Sequence, residues 1–476
     1  MKAVDVLRHD GSDLAGALER DDGRVRGVGL GVAKAGPAFG LLRPVFATGG
    51  VGAHEVLVQD GLLRLPHALR ATKIRDPRSG GDPGAGEDQD PLGPADESDE
   101  LGVGGHERDH SVAAPRRRRY TGTMKIGVLT SGGDAPGMNA ALRTIAVVGH
   151  ARGHECLGVR RGYEGLLEGD VVPLDLPRVD GISRFGGTML GSARSKVFPT
   201  PEGQQLAKEQ VAALGLDALV VIGGNGSLTG AHVLGQGKPC QIVGLPASID
   251  NDIGHCGMAI GVDTAVNTIV EACDRISDTA RAHRRAFVVE VMGRHCGFLA
   301  MRAGISAEAD AILYAEDEAL DEEAILEQLV ATLKKCFAPG RSKTRALIVK
   351  AEGVPVATKT IVERLQAFLD AELPGVDVRE TVLGHVVRGG NPSALDRFIA
   401  QRLGFGAVLA IENGAHDVML SWDDPLEGGM ETPDRYVRVI PIATMLEETS
   451  KMLDGTSKVV QGRLAMLGKV KDILAL

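Results

Sequence analysis

The chain has 476 residues, 43% of them hydrophobic and 24% charged, the composition of a soluble globular protein of two or three domains. Its 53 basic and 63 acidic residues leave a net charge of −10, which argues against a nucleic-acid partner, since such proteins need a basic face. No apolar run approaches the ~20 residues of a membrane span, and no signal-type stretch opens the chain, so no membrane partner is expected. The six cysteines (Cys156, Cys240, Cys256, Cys273, Cys296, Cys336) form no CxxC pair, which removes zinc-ribbon and thioredoxin readings. Dispersed thiols of this kind fit a cytoplasmic location.

Residues 1–123 differ from the rest. Asp82 to Glu100 carries eight carboxylates among Gly, Pro and Ser, and Arg116 to Arg119 is a run of four like charges. Neither can bury enough apolar surface to offset the entropy of ordering. Val56-Leu57-Val58 and Leu62-Leu63 are apolar but too short for a sustained period. The expectation is a disordered N-terminal extension, or the product of a start codon assigned too far upstream of Met124.

From Met124 onward the pattern alternates strand, loop and helix. Short runs rich in Val and Ile, apolar on both faces, predict buried parallel strands at Lys125–Leu129, Ala218–Ile222, Gln241–Leu245, Ala286–Val291 and Arg345–Val349. A helix is predicted over Val262–Ile276, with Val266, Ile269, Val270 and Cys273 on one stripe. The tail from Thr444 reads as helical, with Met445, Leu446 and Met452 as packing residues. Alternating β and α predicts an α/β protein built of doubly wound lobes with mainly parallel sheets. Ligands in such sheets sit beyond the carboxyl ends of the strands.

The loops at those ends are unusual. Ser131-Gly-Gly-Asp-Ala-Pro-Gly-Met-Asn139 and Gly223-Gly-Asn-Gly-Ser227 each follow a strand and precede a helix. Glycines there let backbone N–H groups approach a phosphate at a helix N-terminus. One such loop is easily a plain turn; two in one lobe favour a polyphosphate. Pro246-Ala-Ser-Ile-Asp-Asn-Asp252 carries two carboxylates, Asp250 and Asp252, suited to a general base and a magnesium ligand. Taken alone, that pair reads better as turn-forming Asp residues. Arg194, Arg285, Arg294, Arg379 and Arg388 all stand beside glycine-rich turns in an acidic protein. Guanidinium forks bind phosphate oxygens bidentately, so five in these settings point to an anionic substrate with more than one phosphate.

Together these motifs resemble the 6-phosphofructokinase family, from Met124 to about residue 430. The segments that carry the resemblance are Ser-Gly-Gly-Asp-Ala-Pro-Gly-Met-Asn, Gly-Ser-Ala-Arg, Ile-Asp-Asn-Asp, Val-Glu-Val-Met-Gly-Arg and Leu-Gly-His-x-x-Arg-Gly-Gly. The resemblance implies transfer of the γ-phosphoryl group of ATP, with Mg²⁺, to the 1-hydroxyl of fructose 6-phosphate. It implies Asp250 as base, with Ser248 and Arg294 at the transferring group. Gly133, Arg194, Ser195, Gly224, Asn225, Gly226 and Ser227 would line the nucleotide. Ser248, Ile249, Asp250, Met292, Gly293, Arg294, Glu352, His385 and Arg388 would hold the sugar phosphate. Arg285 and Arg379 match residues that reach the 6-phosphate from a neighbouring subunit, which implies a homodimer or homotetramer with shared sites. The implied lobes are 124–261 plus 389–476 for the nucleotide and 262–388 for the sugar phosphate.

Three positions depart from the family pattern. Asn225 stands where the family usually has Asp, so the metal would lean on Asp252 and the phosphates. Gly226 and Ala247 stand where the pyrophosphate-using branch carries Asp and Lys, which favours ATP; a pyrophosphate-dependent phosphotransferase is the alternative, and a sugar-phosphate-binding regulator with reduced catalysis a weaker one. Arg143 matches one effector-site cation, but Val147 and Ser277 occupy two other arginine positions, so activation by ADP is expected to be weak or absent.

Overall fold

The computed structural model describes residues 122–476 except 318–320, 427, 472 and 475–476. Earlier in the chain it describes four short strands. β1 (Arg20–Asp21) pairs with β2 (Arg24–Val25), and β3 (Val56–Val58) with β4 (Gly61–Leu63), both antiparallel. The two apolar patches near residue 60 thus face each other as a small hairpin. Otherwise the expectation of an unstructured extension lies outside the described residues. The chain divides into two units, Met1–Glu107 and Arg108–Leu476.

The second unit carries two sheets. The larger has eight strands in the order β15-β16-β14-β9-β8-β5-β6-β7. Its centre is parallel: β5 (Lys125–Ser131) lies between β6 (Glu155–Val159) and β8 (Ala218–Gly223), and β9 (Gln241–Pro246) lies between β8 and β14 (Val418–Trp422). β8 is buried along its whole length, and β5 from its second residue on, as expected of strands covered on both faces. The edges turn antiparallel. β7 (Val171–Pro173) closes one side, where its proline needs no ladder partner. β16 (Val437–Pro441) and β15 (Met430–Glu431) close the other. Neither edge is among the strands that the sequence predicts.

The smaller sheet is parallel throughout, in the order β11-β12-β10-β13. It comprises β11 (Ala311–Leu313), β12 (Ala346–Ala351), β10 (Arg285–Val291) and β13 (Asp377–Val382). The larger sheet therefore draws on residues 125–246 and 418–441, and the smaller on 285–382.

Twelve α-helices are described in this unit. α1 (Met138–Ala151), α5 (Asn225–Gly235), α6 (Val262–His283), α7 (Phe298–Ser306) and α10 (Ala394–Glu412) bear on the site. α6 runs seven residues beyond the predicted Ile276, burying Ser277 and Ala280 in its extra turns. Its N-terminus is held by the fully buried Asp396 of α10. That carboxylate accepts from Gly261 N at 2.8 Å and Thr264 N at 2.7 Å, satisfying orphan donors and joining the two helices. Gly261 has φ +102°, and a Cβ there would lie 2.7 Å from that of Ala135, so the turn into α6 demands glycine. The tail forms α11 (Ile442–Leu453) and α12 (Lys458–Lys471), with Met445 and Met452 buried.

Candidate active site

The loops named above all leave carboxyl ends of strands. The first runs from Ser131, at the end of β5, into α1 at Met138, two residues after Pro136. Gly137 has φ +116°, and a Cβ on it would lie 2.7 Å from Ile260. Gly132 packs against Ser227: a Cβ there would be 3.0 Å from the serine Oγ. The first two loops therefore form one surface. Asn139 fixes a third segment beside them. Its Nδ2 donates to Phe185 O at 3.1 Å and Gly186 O at 3.2 Å, and its Oδ1 accepts from Met189 N at 2.8 Å. Ser192 Oγ donates to Gly132 O at 2.6 Å. The stretch ending in Arg194 is thereby tied to the first loop. Arg194 itself is exposed, while the Ser195 hydroxyl is engaged locally, accepting from Phe198 N at 3.1 Å. Sequence reasoning quoted Asn139 only as part of a motif; its partners lie about fifty residues away, so no local signal marks its role.

α5 starts at Asn225, with Gly224 as its cap residue. A Cβ on Gly224 would meet Ser248 Cβ at 3.6 Å, so this loop abuts the acidic one. A Cβ on Gly226 would meet nothing within 4 Å, which leaves open space beside the helix start. Asn225 Nδ2 donates to Asp252 Oδ2 at 2.8 Å and to Asp252 O at 3.1 Å. Ser248 Oγ donates to Asp252 Oδ1 at 3.1 Å. The Asp252 carboxylate is thus held on both oxygens. The Asn225 Oδ1 is buried without a hydrogen-bond partner. Asn251, at φ +52°, braces the loop by accepting from Ala259 N at 3.0 Å and donating to Gly257 O at 3.1 Å. The Ile249 side chain is fully buried in the core, so its backbone alone is available to a ligand.

Asp250 is the electrostatic centre. Its Oδ1 is buried and unpartnered. Burial, then the neighbouring charge of Asp252 and more weakly that of Glu352, push its carboxyl from the ordinary 3.8 to about 6, against the pull of Arg388 and Arg294. Desolvation, the first cause of this shift, is not legible in the sequence. The same interactions place Arg294, Glu352 and Arg388 around Asp250. Arg388, in the 3-10 turn Gly384–Arg388, also reaches the first loop: a Cβ on Gly133 would lie 2.7 Å from its Nη1. Gly293, at φ +130°, brings its N–H within 3.4 Å of Glu352 Oε1, and Met292 is buried behind them. His385 is exposed on the same turn as Arg388.

Arg285 and Arg379 stand apart. Arg285 begins β10, whereas the Arg294 loop follows its end at Val291. Six strand residues of about 3.3 Å each separate the two ends by roughly 20 Å. Both arginines lean on Asp377, at 3.5 Å and 3.1 Å. Within one chain they do not join Asp250.

Among the described residues, no group of three or more His, Cys, Asp or Glu gathers as a metal site. Magnesium does not require one, since it takes one or two carboxylates plus waters and phosphates. Asp252 and the unpartnered Asn225 oxygen fit that modest donor set. The six thiols are all free and buried, and burial pushes each up to about 12, so none is a ready nucleophile. No helix among the described residues is long and apolar enough to cross a membrane.

Comparison with known proteins accords with this geometry. The profile of the family described as Phosphofructokinase matches residues 125–411. A protein named ATP-dependent 6-phosphofructokinase from Thermotoga neapolitana is 44% identical over 330 residues, covering 69% of this chain and 96% of its own. ATP-dependent 6-phosphofructokinase 1 of Thermus thermophilus is 45% identical over 297 residues, covering 62% and 88%. The solved phosphofructokinase of Saccharomyces cerevisiae superposes with a TM-score of 0.63 at 32% identity, over 72% of this chain and 50% of the yeast chain. The family match spans the smaller sheet, the parallel strands β5, β6, β8 and β9 of the larger one, and the loops described above: the chain belongs to the phosphofructokinase family.

Proposed function

We propose that this chain phosphorylates fructose 6-phosphate at its 1-hydroxyl with ATP, a phosphorylation of glycolysis. The observation that carries the reading is Asp250: a buried carboxylate with a free oxygen, set among Arg294, Arg388 and Glu352 where the strand ends of both sheets meet. Phosphoryl transfer asks a protein mainly for positioning and charge neutralisation. Asp250 takes the hydroxyl proton on its free oxygen. Arg294 and Arg388 offset charge on the transferring group and the sugar phosphate, and Ser248 borders that group. Glu352, with Met292, Gly293 and His385, orients the sugar. On the donor side, Gly133 in the loop before α1, and Gly224 and Ser227 at the start of α5, offer backbone and hydroxyl donors, and Arg194 supplies an exposed guanidinium with no ion-pair partner among the described residues.

ATP as donor rests on the open space at Gly226, on Ala247, and on relatives named for ATP dependence. Asp252 and Asn225 would hold Mg²⁺, which when bound with the nucleotide neutralises phosphate charge. The lobe built on the larger sheet would take the nucleotide and the lobe built on the smaller one the sugar phosphate. Arg285 and Arg379, remote from Asp250 in their own chain, would complete the site of a neighbouring copy in a homodimer or homotetramer. The exposed Val382, at the end of β13, and Val386, in the turn after it, suit burial in such an interface. A reducing cytoplasm suits the six free thiols.

A coupled assay of the full chain with fructose 6-phosphate tests the reading. ATP with Mg²⁺ should support turnover, and pyrophosphate should not. Activity with pyrophosphate alone would overturn the donor assignment, and failure with both would overturn the function.

A further inference from the structure

A cleft of about 700 Å³ opens between α7 and α12. Phe298, Met301 and Ile305 of α7 face Val459, Met466 and Leu467 of α12 across it. Its volume lies in the range that small ligands occupy. Three cations also line it, Arg302, Lys458 and Arg463, and no carboxylate does among the described residues. Neither Arg302 nor Lys458 has an ion-pair partner among the described residues. Lys458 opens α12, whose N-terminus is capped by Ser457 Oγ, which accepts from Val459 N at 3.1 Å and donates to Glu448 Oε1 at 2.6 Å, so the charge offered to the cleft is that of the side chains.

Arg463 connects this cleft to the catalytic loops. Its guanidinium stacks on the Phe298 ring at 4.6 Å. Nη1 and Nη2 each lie 3.4 Å from Asn251 O, and Nη1 lies 3.7 Å from Cys296 Sγ. Asn251 sits between Asp250 and Asp252, and Cys296 lies two residues after Arg294. The contacts to Asn251 are long, so a formal negative charge in the cleft would compete well for the guanidinium.

We propose that the cleft binds an amphipathic anion, a single apolar chain ending in a carboxylate or phosphate, and that its head draws Arg463 away from Asn251. The apolar walls fit the chain, and Arg302, Lys458 and Arg463 fit the head. Losing the brace loosens the loop that carries Asp250, so occupancy lowers turnover. The effect on turnover rests on the proposed function; binding does not.

The test is calorimetric titration of the full chain with dodecanoate, dodecyl phosphate, neutral dodecanol and cationic dodecylamine, each below its aggregation limit. Binding of either anion at one per chain is expected, and the anion preferred identifies the head group. Arg302→Ala or Lys458→Ala should weaken it about tenfold. Gly462 lines the cleft, and a Cβ on it meets nothing within 4 Å, so Gly462→Trp should obstruct the space without distorting α12 and weaken binding strongly. Ligand-free turnover of Lys458→Ala and Gly462→Trp should match the parent. Equal binding of the neutral or cationic probe, no saturable anion binding, or unaltered binding to Gly462→Trp would overturn the site. Anion binding that leaves turnover unchanged would overturn the link through Arg463.

Discussion

Replacing Asp250 by Asn should raise the stability of the ligand-free protein at neutral pH while removing its activity. The magnitude follows from the displaced titration. Asp250 ionises near 3.8 in an unfolded chain and near 6 in the folded one, because burial and the charge of Asp252 disfavour its anion. At about 1.4 kcal/mol for each tenfold in proton affinity, that gap corresponds to roughly 3 kcal/mol. A carboxyl whose folded value is raised contributes its full stability below 3.8, where both states are protonated, and loses it as pH rises through 6. At pH 7.5 the ionised Asp250 therefore weighs against folding by an amount of that order, and neutral Asn removes most of it. The assay is thermal unfolding of the two proteins, without ligands, between pH 4 and pH 8. The variant should melt a few degrees higher at pH 7.5, with the difference shrinking steadily toward pH 4. A variant no more stable than the parent at pH 7.5, or a difference that does not change with pH, would refute the claim that Asp250 is held ionised against its surroundings.

Other consequences are equally specific. Asn225→Asp sets a second carboxylate where the amide now donates to Asp252 at 2.8 Å, so Mn²⁺ binding without nucleotide, read by electron paramagnetic resonance, should tighten at least about tenfold; unchanged binding would separate this pair from the metal. Arg379→Ala and Asp250→Asn should each be nearly inactive alone. Chains mixed, dissociated and reassembled should regain activity, because a hybrid pair holds one intact site; no recovery would show that Arg379 serves its own chain. ADP should leave the half-saturation for fructose 6-phosphate unchanged, since Val147 carries no charge and Ser277 is a buried hydroxyl. A clear fall on adding ADP would contradict that.

Sequence reveals what is local. β8 and the first four residues of β12, Ala346–Val349, are runs of buried apolar residues, and such runs stand out in any chain. The glycine loops that follow strands are legible for the same reason. The antiparallel edges were not, because Val171–Pro173 and Val437–Pro441 are short, end in proline and acquire strand character only by pairing with β6 and β14. The end of α6 escaped notice because it packs through Ser277 and Ala280, small residues that bury without an apolar signature. At the site, residue types and order pointed to Asp250, Arg294 and Arg388. The acidity of Asp250, the fastening of Asp252 by Asn225, and the reach of Arg463 to Asn251 join residues up to 212 positions apart, and only the folded chain brings them into contact.

The most direct test of the central claim is the steady-state turnover of Asp250→Asn, measured beside its affinity for fructose 6-phosphate. A base that acts in the transition state predicts a fall in turnover of about 10²–10⁴, with sugar-phosphate affinity kept within a few-fold. Near-parental turnover, or a loss confined to affinity, would contradict it.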